Sequence, residues 1–325
     1  MKLNLFRFFH RGLLATPLVC AIMSLANEAA ASSWMQLSPV ATPAARSYLA
    51  MTYDQASKKV VLFGGFDGRG YLNDTWTFDG TTWAQIATPT APSPRANVQM
   101  AYDLRTRKVV LFGGYDGRKD LGDTWIWDGL SSTWTQAAPA HSPKAVTGPM
   151  IFTDLNGRVD EFGGFDGNFY QLTMYQWSGS DWRQLHPATV PYARSVAAVG
   201  VNHVSGQIVM FGGLGDVNPD NTWTYDGRTW TMESPLTQPP LVYAGAAVFD
   251  PNLNAVLLFG GGNGGSGENS TWSWNGSNWQ QLLPTTSPGS REGAGIAYDA
   301  RLRHTIIFGG QRGSLLLKDT WEFLP

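Results

Sequence analysis

The sequence is poor in charge and nearly free of cysteine. Only 15% of its 325 residues are charged, with 23 Lys and Arg against 25 Asp and Glu. This balance gives no basic surface of the kind that nucleic acid requires. The one cysteine, Cys20, cannot build a disulfide framework or a cysteine-ligated metal site. No apolar run reaches the roughly 18 residues that a membrane-spanning helix needs. Neither nucleic acid nor a membrane is therefore an expected partner.

The usual sequence signatures of enzymes are also missing. The four histidines after residue 31 form no H-x-x-x-H or H-E-x-x-H pair, so no zinc site is expected. No G-x-S-x-G nucleophile elbow or phosphate-binding loop is present. The sequence therefore predicts no metal and no other cofactor, and it favours a binding protein over an enzyme.

The N-terminus has the features of a secretory leader. Lys2, Arg7 and Arg11 precede a short apolar run at 13–25, and alanines at 29–31 offer an A-x-A cleavage site. Residues 1–31 are therefore predicted to be a signal peptide that carries Cys20 away on cleavage. The protein is expected to be secreted or periplasmic, with one domain formed by residues 32–325.

That domain is rich in Gly, Pro and Trp, and its glycines reveal an internal repeat. A Gly-Gly pair follows an apolar run six times, at intervals of 48–50 residues. The pairs are at 64–65, 113–114, 163–164, 212–213, 260–261 and 309–310.

Each repeat contains four short segments typical of β-strands. In the first repeat these are 47–54, the apolar run 60–63, the aromatic segment 74–78, and 83–86, which opens with Trp83. Asp-Gly or Asn-Gly pairs, such as Asp79-Gly80, usually separate the third and fourth segments and predict tight hairpins. Each repeat is therefore expected to form a four-stranded antiparallel meander, and such units at this period indicate a β-propeller.

The Phe-Gly-Gly that ends the second segment, the aromatic residue in the third and the Trp that opens the fourth resemble the kelch repeat. The resemblance covers residues 32–325. The chain is thereby distantly similar to the galactose oxidase and kelch superfamily. It implies an all-β, six-bladed propeller whose first strands line a central channel. It leaves function open, because the fold hosts both binding modules and enzymes.

The sixth repeat lacks its fourth segment, because the chain stops at Pro325. The missing segment is found at the other end, where Trp34-Met35-Gln36-Leu37 matches Trp83-Ala84-Gln85-Ile86. We therefore expect the first strand of the domain to complete the last blade and close the ring.

Tryptophans fall mainly at two repeat positions, in the third and fourth segments. The sequence predicts that they pack between neighbouring blades and do not form a stacking surface for a ligand. The fourth-segment residues are Trp83, Trp134, Trp182, Trp230 and Trp279.

An arginine precedes the first strand in four repeats and is the first candidate binding group. Val146 and Val242 hold this position in the third and fifth repeats, and Lys144 lies two residues before Val146. If the arginines share the channel mouth, they suit a carboxylate, sulfate or phosphate. The alternative, favoured by the sequence, is that each pairs with a nearby carboxylate. The four are Arg46, Arg95, Arg194 and Arg291.

The loops that follow the Gly-Gly pairs form the second candidate set, because they should share a rim with the arginines. Turn formation with the following glycine is the structural alternative for their Asp-Gly pairs. These loops also hold the carboxylates that we expect to neutralise the arginine ring. The candidates are Asp67, Arg69, Asp116, Arg118, Asp166 and Asp216.

The sequence thus predicts a monomeric extracytoplasmic propeller that binds a protein or an extracellular glycan through its loop rim. A second hypothesis comes from the resemblance, because secreted six-bladed kelch proteins include sialic acid mutarotases that hold an acidic sugar with arginine and a carboxylate. Galactose oxidase-like copper chemistry, which needs a Tyr-Cys crosslink, is excluded because residues 32–325 contain no cysteine.

Overall fold

A computed structural model describes residues 32–217, 221–265 and 267–325. The predicted signal peptide, including Cys20, lies outside the described residues. The described chain forms six four-stranded antiparallel sheets, as the repeat predicts. None of its elements is a helix long and apolar enough to cross a bilayer.

Each sheet is one blade, and its four strands follow one another from the channel outward. The strands of blades 1 to 3 are β2 Ala50–Asp54, β3 Lys59–Phe63, β4 Thr75–Phe78, β5 Trp83–Ile86; β6 Gln99–Asp103, β7 Lys108–Phe112, β8 Thr124–Asp128, β9 Thr133–Gln136; β10 Met150–Thr153, β11 Val159–Phe162, β12 Met174–Trp177, β13 Trp182–Leu185.

Blades 4 to 6 repeat this order, with two extra two-stranded ribbons at the rim. Their strands are β15 Ala198–Asn202, β16 Gln207–Phe211, β18 Thr222–Tyr225, β19 Trp230–Met232; β20 Ala246–Asp250, β21 Ala255–Gly261, β22 Glu268–Trp274, β23 Trp279–Leu282; β24 Gly295–Asp299, β25 His304–Phe308, β28 Thr320–Leu324, β1 Ser33–Leu37. The ribbons pair β14 Arg194–Ser195 with β17 Leu214–Gly215, and β26 Gln311–Arg312 with β27 Leu315–Leu316.

The N-terminal strand closes the ring, which confirms the prediction from the Trp34 match. β1 pairs antiparallel with β28 and places Trp34 opposite Phe323. Blade 6 therefore has its outer strand from one end of the domain and its three inner strands from the other. Both ends of the domain are held in one sheet, so neither leaves an incomplete blade.

The hairpins between third and fourth strands differ from the prediction in one respect. In blade 1 the loop is four residues long, because β4 ends at Phe78 and β5 begins at Trp83. Only Gly80 adopts a positive φ, of 93°, and the Asp79 carboxylate accepts hydrogen bonds from the backbone N–H groups of Thr81 and Thr82. Asp79 thus caps the turn with its side chain and does not adopt the left-handed conformation itself.

The hydrophobic core is divided into six clusters, each shared by two neighbouring blades. At each interface the outer-strand Trp of one blade packs against the Phe that ends the second strand of the preceding blade. Trp134 lies 5.4 Å from Phe63 between ring centroids, and Trp182 lies 5.5 Å from Phe112. All six outer-strand tryptophans are at most 2% exposed, so the tryptophan prediction is confirmed at this position.

A hydrogen bond accompanies this packing at five of the six interfaces. The indole N–H of the Trp donates to a buried Thr at the start of the preceding blade's third strand, as from Trp182 to Thr124 at 2.8 Å. The other four donors are Trp34, Trp83, Trp134 and Trp279. At the interface between blades 3 and 4, Met174 replaces the Thr, and the buried indole nitrogen of Trp230 has no partner.

This exception makes a direct test of the interface possible. We expect Trp230→Phe to cost less stability than Trp182→Phe by about 1–3 kcal/mol, because only the second change orphans a buried hydroxyl. Both substitutions remove the same ring atoms from positions that are 2% exposed. Urea denaturation of the two variants measures the difference, and equal losses would show that the indole–threonine bond contributes nothing.

Candidate functional site

Three residues from every blade surround the mouth of the channel, at the rim where the first strands begin. The first position directly follows the arginine position and contains Ser47, Ala96, Thr147, Ser195, Tyr243 and Glu292. The second position follows it and contains Tyr48, Asn97, Gly148, Val196, Ala244 and Gly293. The third position follows the Gly-Gly pair and bridges to the first, with Phe66, Tyr115, Phe165, Leu214, Gly262 and Gln311.

The second position builds a closed ring of backbone hydrogen bonds. Each residue's N–H donates to the carbonyl of its counterpart in the preceding blade, from Asn97 to Tyr48 at 2.9 Å and onward until Tyr48 donates to Gly293 at 2.7 Å. All six residues have a positive φ between 47° and 61°. Four of them are not glycine, so this conformation is held by the ring itself and not by the residue type. The ring fixes the diameter of the mouth.

A pocket of about 210 Å³ lies at this ring, and the central channel begins just beyond it. The pocket has mixed chemistry, because its lining residues include four aromatic rings, one amide and five hydroxyl-bearing side chains. Its lining residues are Tyr48, Asn97, Thr147, Phe165, Tyr170, Ser195, Val196, Leu214 and Tyr243. The channel holds about 450 Å³ and is lined mainly by the first strands of all six blades, as the resemblance implied.

A carboxylate is hydrogen-bonded to Tyr48, one of the residues that line the pocket. Oε1 of Glu292 accepts hydrogen bonds from the Tyr48 hydroxyl at 2.9 Å and from Nε2 of Gln311 at 2.8 Å. Oε1 of Gln311 in turn accepts from the Ser47 hydroxyl at 2.8 Å. Burial and the charge of Glu292 raise the pKa of Tyr48 far above its usual value, and the same two causes raise the pKa of Tyr243. Both tyrosines therefore stay protonated and can donate to Glu292.

The arginines predicted as a binding ring are fully buried, and three of them form ion pairs within their own blades. Arg95 is 0% exposed and reaches both carboxylate oxygens of Asp123, at 2.7 and 2.9 Å, and the carbonyl of Gly113 at 3.1 Å. The same two-pronged contact joins Arg46 to Asp74 and Arg291 to Asp319.

Burial alone would raise the pKa of these three carboxyls. The hydrogen bonds and charges of their arginines outweigh the effect of burial, so each pKa is lowered. The paired carboxylates directly precede the third strands and are not the rim-loop aspartates that we expected to neutralise the arginines. The guanidinium groups of the three arginines are thus already hydrogen-bonded to carboxylates and carbonyls of the protein.

The arginine and its aspartate partner change together from blade to blade, which indicates that the two positions form one structural unit. In blade 4 the partner of Arg194 is Asn221, which accepts at 3.0 Å, and desolvation lowers the pKa of Arg194 to about 10. In blade 3, where Val146 replaces the arginine, Thr173 replaces the aspartate. Val242 and Ser270 occupy the two positions in blade 5. No blade keeps the carboxylate without the guanidinium.

Blade 4 therefore predicts a stabilising substitution. Asn221→Asp gives Arg194 the carboxylate found in blades 1, 2 and 6, and we expect a gain of about 1–2 kcal/mol, because hydrogen bonds between charged groups are stronger than those to a neutral amide. Thermal denaturation measures the gain. Asn275→Asp, in an exposed hairpin where other repeats carry Asp, is the matched control and should change little; an equal shift in both variants would contradict the pairing.

The rim-loop candidates lie on the same face, and three of the six shape turns. The carboxylates of Asp67, Asp116 and Asp166 each accept two backbone N–H groups within three residues, which lowers their pKa values. Lys144 also reaches Asp166, at 3.4 Å.

Arg69, Arg118 and Asp216 are exposed at their loop tips. A binding role for the rim set remains a prediction. Among the described residues, no group of His, Cys, Asp or Glu side chains is arranged to hold a metal ion.

The residues that form the pocket were not among the sequence candidates. Tyr48, Asn97, Tyr243 and Glu292 lie one or two positions after the arginine position, which had drawn attention because of its repeated charge. The sequence signal for them is variation between repeats, because the residue type at the first position after the arginine changes in nearly every blade. An alignment of the six repeats, searched for a highly variable position next to a constant one, could have found these residues.

Comparison with known proteins agrees with this architecture. A family model described as the KLHDC2/KLHL20/DRC7 Kelch-repeats domain matches residues 24–213, more than half of the chain. The chain belongs to this kelch-repeat family. Among solved structures, one titled "Structure of YjhT" has a TM-score of 0.70 and 16% identity, and the match covers 87% of this chain and 95% of that one. This likeness concerns the fold alone. No curated protein matched the sequence.

Proposed function

We propose that the protein is a glycan-binding module and that its ligand occupies the pocket at the channel mouth. The observation that carries this proposal is the combination of aromatic walls, an amide and a hydroxyl in one concave site, with a carboxylate hydrogen-bonded to Tyr48 in its wall. Small-ligand sites are typically concave and apolar with a few well-placed polar groups. The pocket has this composition, and its position inside a rigid backbone ring keeps it preformed.

The chemistry of the lining suits a sugar. One face of a sugar ring is apolar and can lie against an aromatic side chain, while its edge presents hydroxyl groups. Tyr48, Tyr243 and Phe165 supply the aromatic surface. Asn97 and Ser195 supply an amide and a hydroxyl for the edge. A pocket of about 210 Å³ accommodates a terminal sugar of a longer chain, not a protein surface.

The arginines give no support to the alternative of an acidic-sugar mutarotase. That reaction, as the resemblance implied it, holds the sugar's carboxylate with arginine. Each of the four candidate arginines is at most 2% exposed and already bonded to side chains and carbonyls of its own blade. A neutral or cationic glycan is therefore the better fit.

We further propose that the protein meets this glycan outside the cytoplasm. The support comes from the sequence of residues 1–31, with its basic start, apolar run and A-x-A site. A cell-surface or extracellular polysaccharide is the ligand that such a location makes available.

A glycan-array screen of the purified protein, followed by calorimetric titration, tests the proposal. We expect Tyr243→Ala to weaken binding of the selected glycan at least about tenfold, which corresponds to about 1.4 kcal/mol. Tyr192→Ala is the control, because Tyr192 is also an accessible tyrosine, 47% exposed, but does not line the pocket. Absence of any glycan ligand, or equal binding by both variants, would contradict the proposal.

A further inference from the structure

The carboxylate at the channel mouth has only neutral partners. Glu292 accepts hydrogen bonds from Tyr48 and Gln311, and within the described residues it forms no ion pair with a Lys, Arg or His side chain. We propose that this pocket takes a glycan bearing a free amino group, and that the ammonium of an amino sugar is the missing partner of Glu292. The inference rests on the proposed glycan-binding function and names the class of sugar.

The nearby arginines cannot supply the missing charge. Arg291 precedes Glu292 in the chain, but its guanidinium is held by Asp319. Arg46 is held in the same way by Asp74. Arg194 has no carboxylate partner, but it is 0% exposed and is bonded to Asn221 and two carbonyls of the protein. No cationic side chain of the described residues therefore compensates the charge of Glu292, which is hydrogen-bonded to Tyr48 in the wall of the pocket.

The structure leaves room for the carboxylate on its open side. Gly262 occupies the third mouth position in blade 5, where blades 1 to 3 have Phe or Tyr. A Cβ at Gly262 would collide with Oε2 of Glu292 and with the ring of Tyr243. The missing side chain thus lets Glu292 and Tyr243 lie side by side, close enough for the neutral Tyr243 hydroxyl to hydrogen-bond the carboxylate.

An ammonium group fits this arrangement better than a hydroxyl does. Its positive charge pairs with the carboxylate and is also attracted to the faces of aromatic rings. Tyr48 and Tyr243 flank Glu292 and would place such faces beside the cation.

A second carboxylate adds to the negative character of the rim. Asp120 occupies the repeat position of Tyr170, a pocket residue. Burial raises the pKa of Asp120, and the charges of Asp166 and Asp116 add to this effect.

The test compares two oligosaccharides that differ only at nitrogen. Calorimetric titration of the purified protein would use a β-1,4-linked glucosamine tetramer and the matching N-acetylglucosamine tetramer. We expect the free amine to bind at least about tenfold more tightly. Glu292→Gln should bring the ratio of the two affinities close to one, whereas Glu292→Asp, which keeps the charge, should retain a preference for the amine. Melting temperatures confirm that both variants are folded.

The outcomes separate this inference from the function on which it rests. Equal affinity of the wild-type protein for the two tetramers, or a preference that survives Glu292→Gln, would overturn the amino-sugar assignment and leave glycan binding intact. Failure of every glycan to bind would overturn both. A tetralysine peptide that binds as tightly as the glucosamine tetramer would show that the site selects cationic peptides, and this too would overturn the assignment.

Discussion

Replacing Glu161 with leucine is expected to stabilise the protein by about 2–4 kcal/mol at neutral pH. Glu161 lies in the second strand of blade 3, is 1% exposed, and its Oε2 has no hydrogen-bond partner among the described residues. The same position in the other blades is held by buried aliphatic residues or methionine: Leu62, Leu111, Met210, Leu258 and Ile307. Leucine restores the common side chain and removes a buried polar group that is only partly satisfied.

The gain should depend on pH. Burial raises the pKa of Glu161 well above its usual value, with the charge of Asp160 adding to it, and burial together with the charge of Asp154 raises the pKa of Asp160 to about 8. A carboxyl whose pKa is raised in the folded state gives its full stability below the pKa of the unfolded chain and loses it as pH rises towards the folded value. The wild-type protein should therefore lose stability between about pH 5 and pH 9 more steeply than Glu161→Leu.

Urea denaturation at pH 5, 7 and 9 measures both effects. Glu233→Leu is the matched control, because Glu233 follows the outer strand of blade 4 and is not buried. If Glu161→Leu gains no more stability than this control, or if its pH profile parallels that of the wild type, Glu161 is not the buried acid described above.

Removing Arg95 is expected to have the largest destabilising effect of any single change at the rim. Arg95→Ala removes the donor to the Gly113 carbonyl and both guanidinium donors to the Asp123 carboxylate, which keeps the indole N–H of Trp125. Breaking a buried ion pair by removing one partner costs about 3 kcal/mol or more. A residue that served only to bind a ligand would cost little stability when removed, so thermal denaturation without ligand separates the two roles.

Blade 3 supplies the control for this experiment. The double variant Arg95→Val and Asp123→Thr installs the pair found at Val146 and Thr173. We expect it to recover more than half of the stability lost in Arg95→Ala, because the two positions act as a unit and their effects are not additive. A double variant less stable than Arg95→Ala would show that the two positions are independent of each other.

The repeat made most of the fold predictable. The period of the Gly-Gly pairs set the number of blades, and the match of Trp34 to Trp83 identified the strand that closes the ring. Both depend on patterns that recur many times, so an error in one copy is corrected by the others. The burial of the outer-strand tryptophans followed from the same regularity.

The site was less predictable, because it depends on how single side chains meet across blades. Tyr48 and Glu292 are 244 residues apart in sequence and become neighbours only when the ring closes. The partner of Arg46 was expected in the rim loop at Asp67 but is Asp74, which directly precedes the third strand. A repeated charge is readily seen in a sequence, but whether it is buried or exposed depends on a partner that the sequence does not name.

The most direct test of the channel mouth as the ligand site is a crystal structure of the protein with its selected oligosaccharide. We expect electron density for a sugar ring against Tyr48 and Tyr243, inside the backbone ring of the six blades, with the amino nitrogen within hydrogen-bonding distance of Glu292. Density at the loop tips beside Arg69 or Arg118, with an empty mouth, would contradict it.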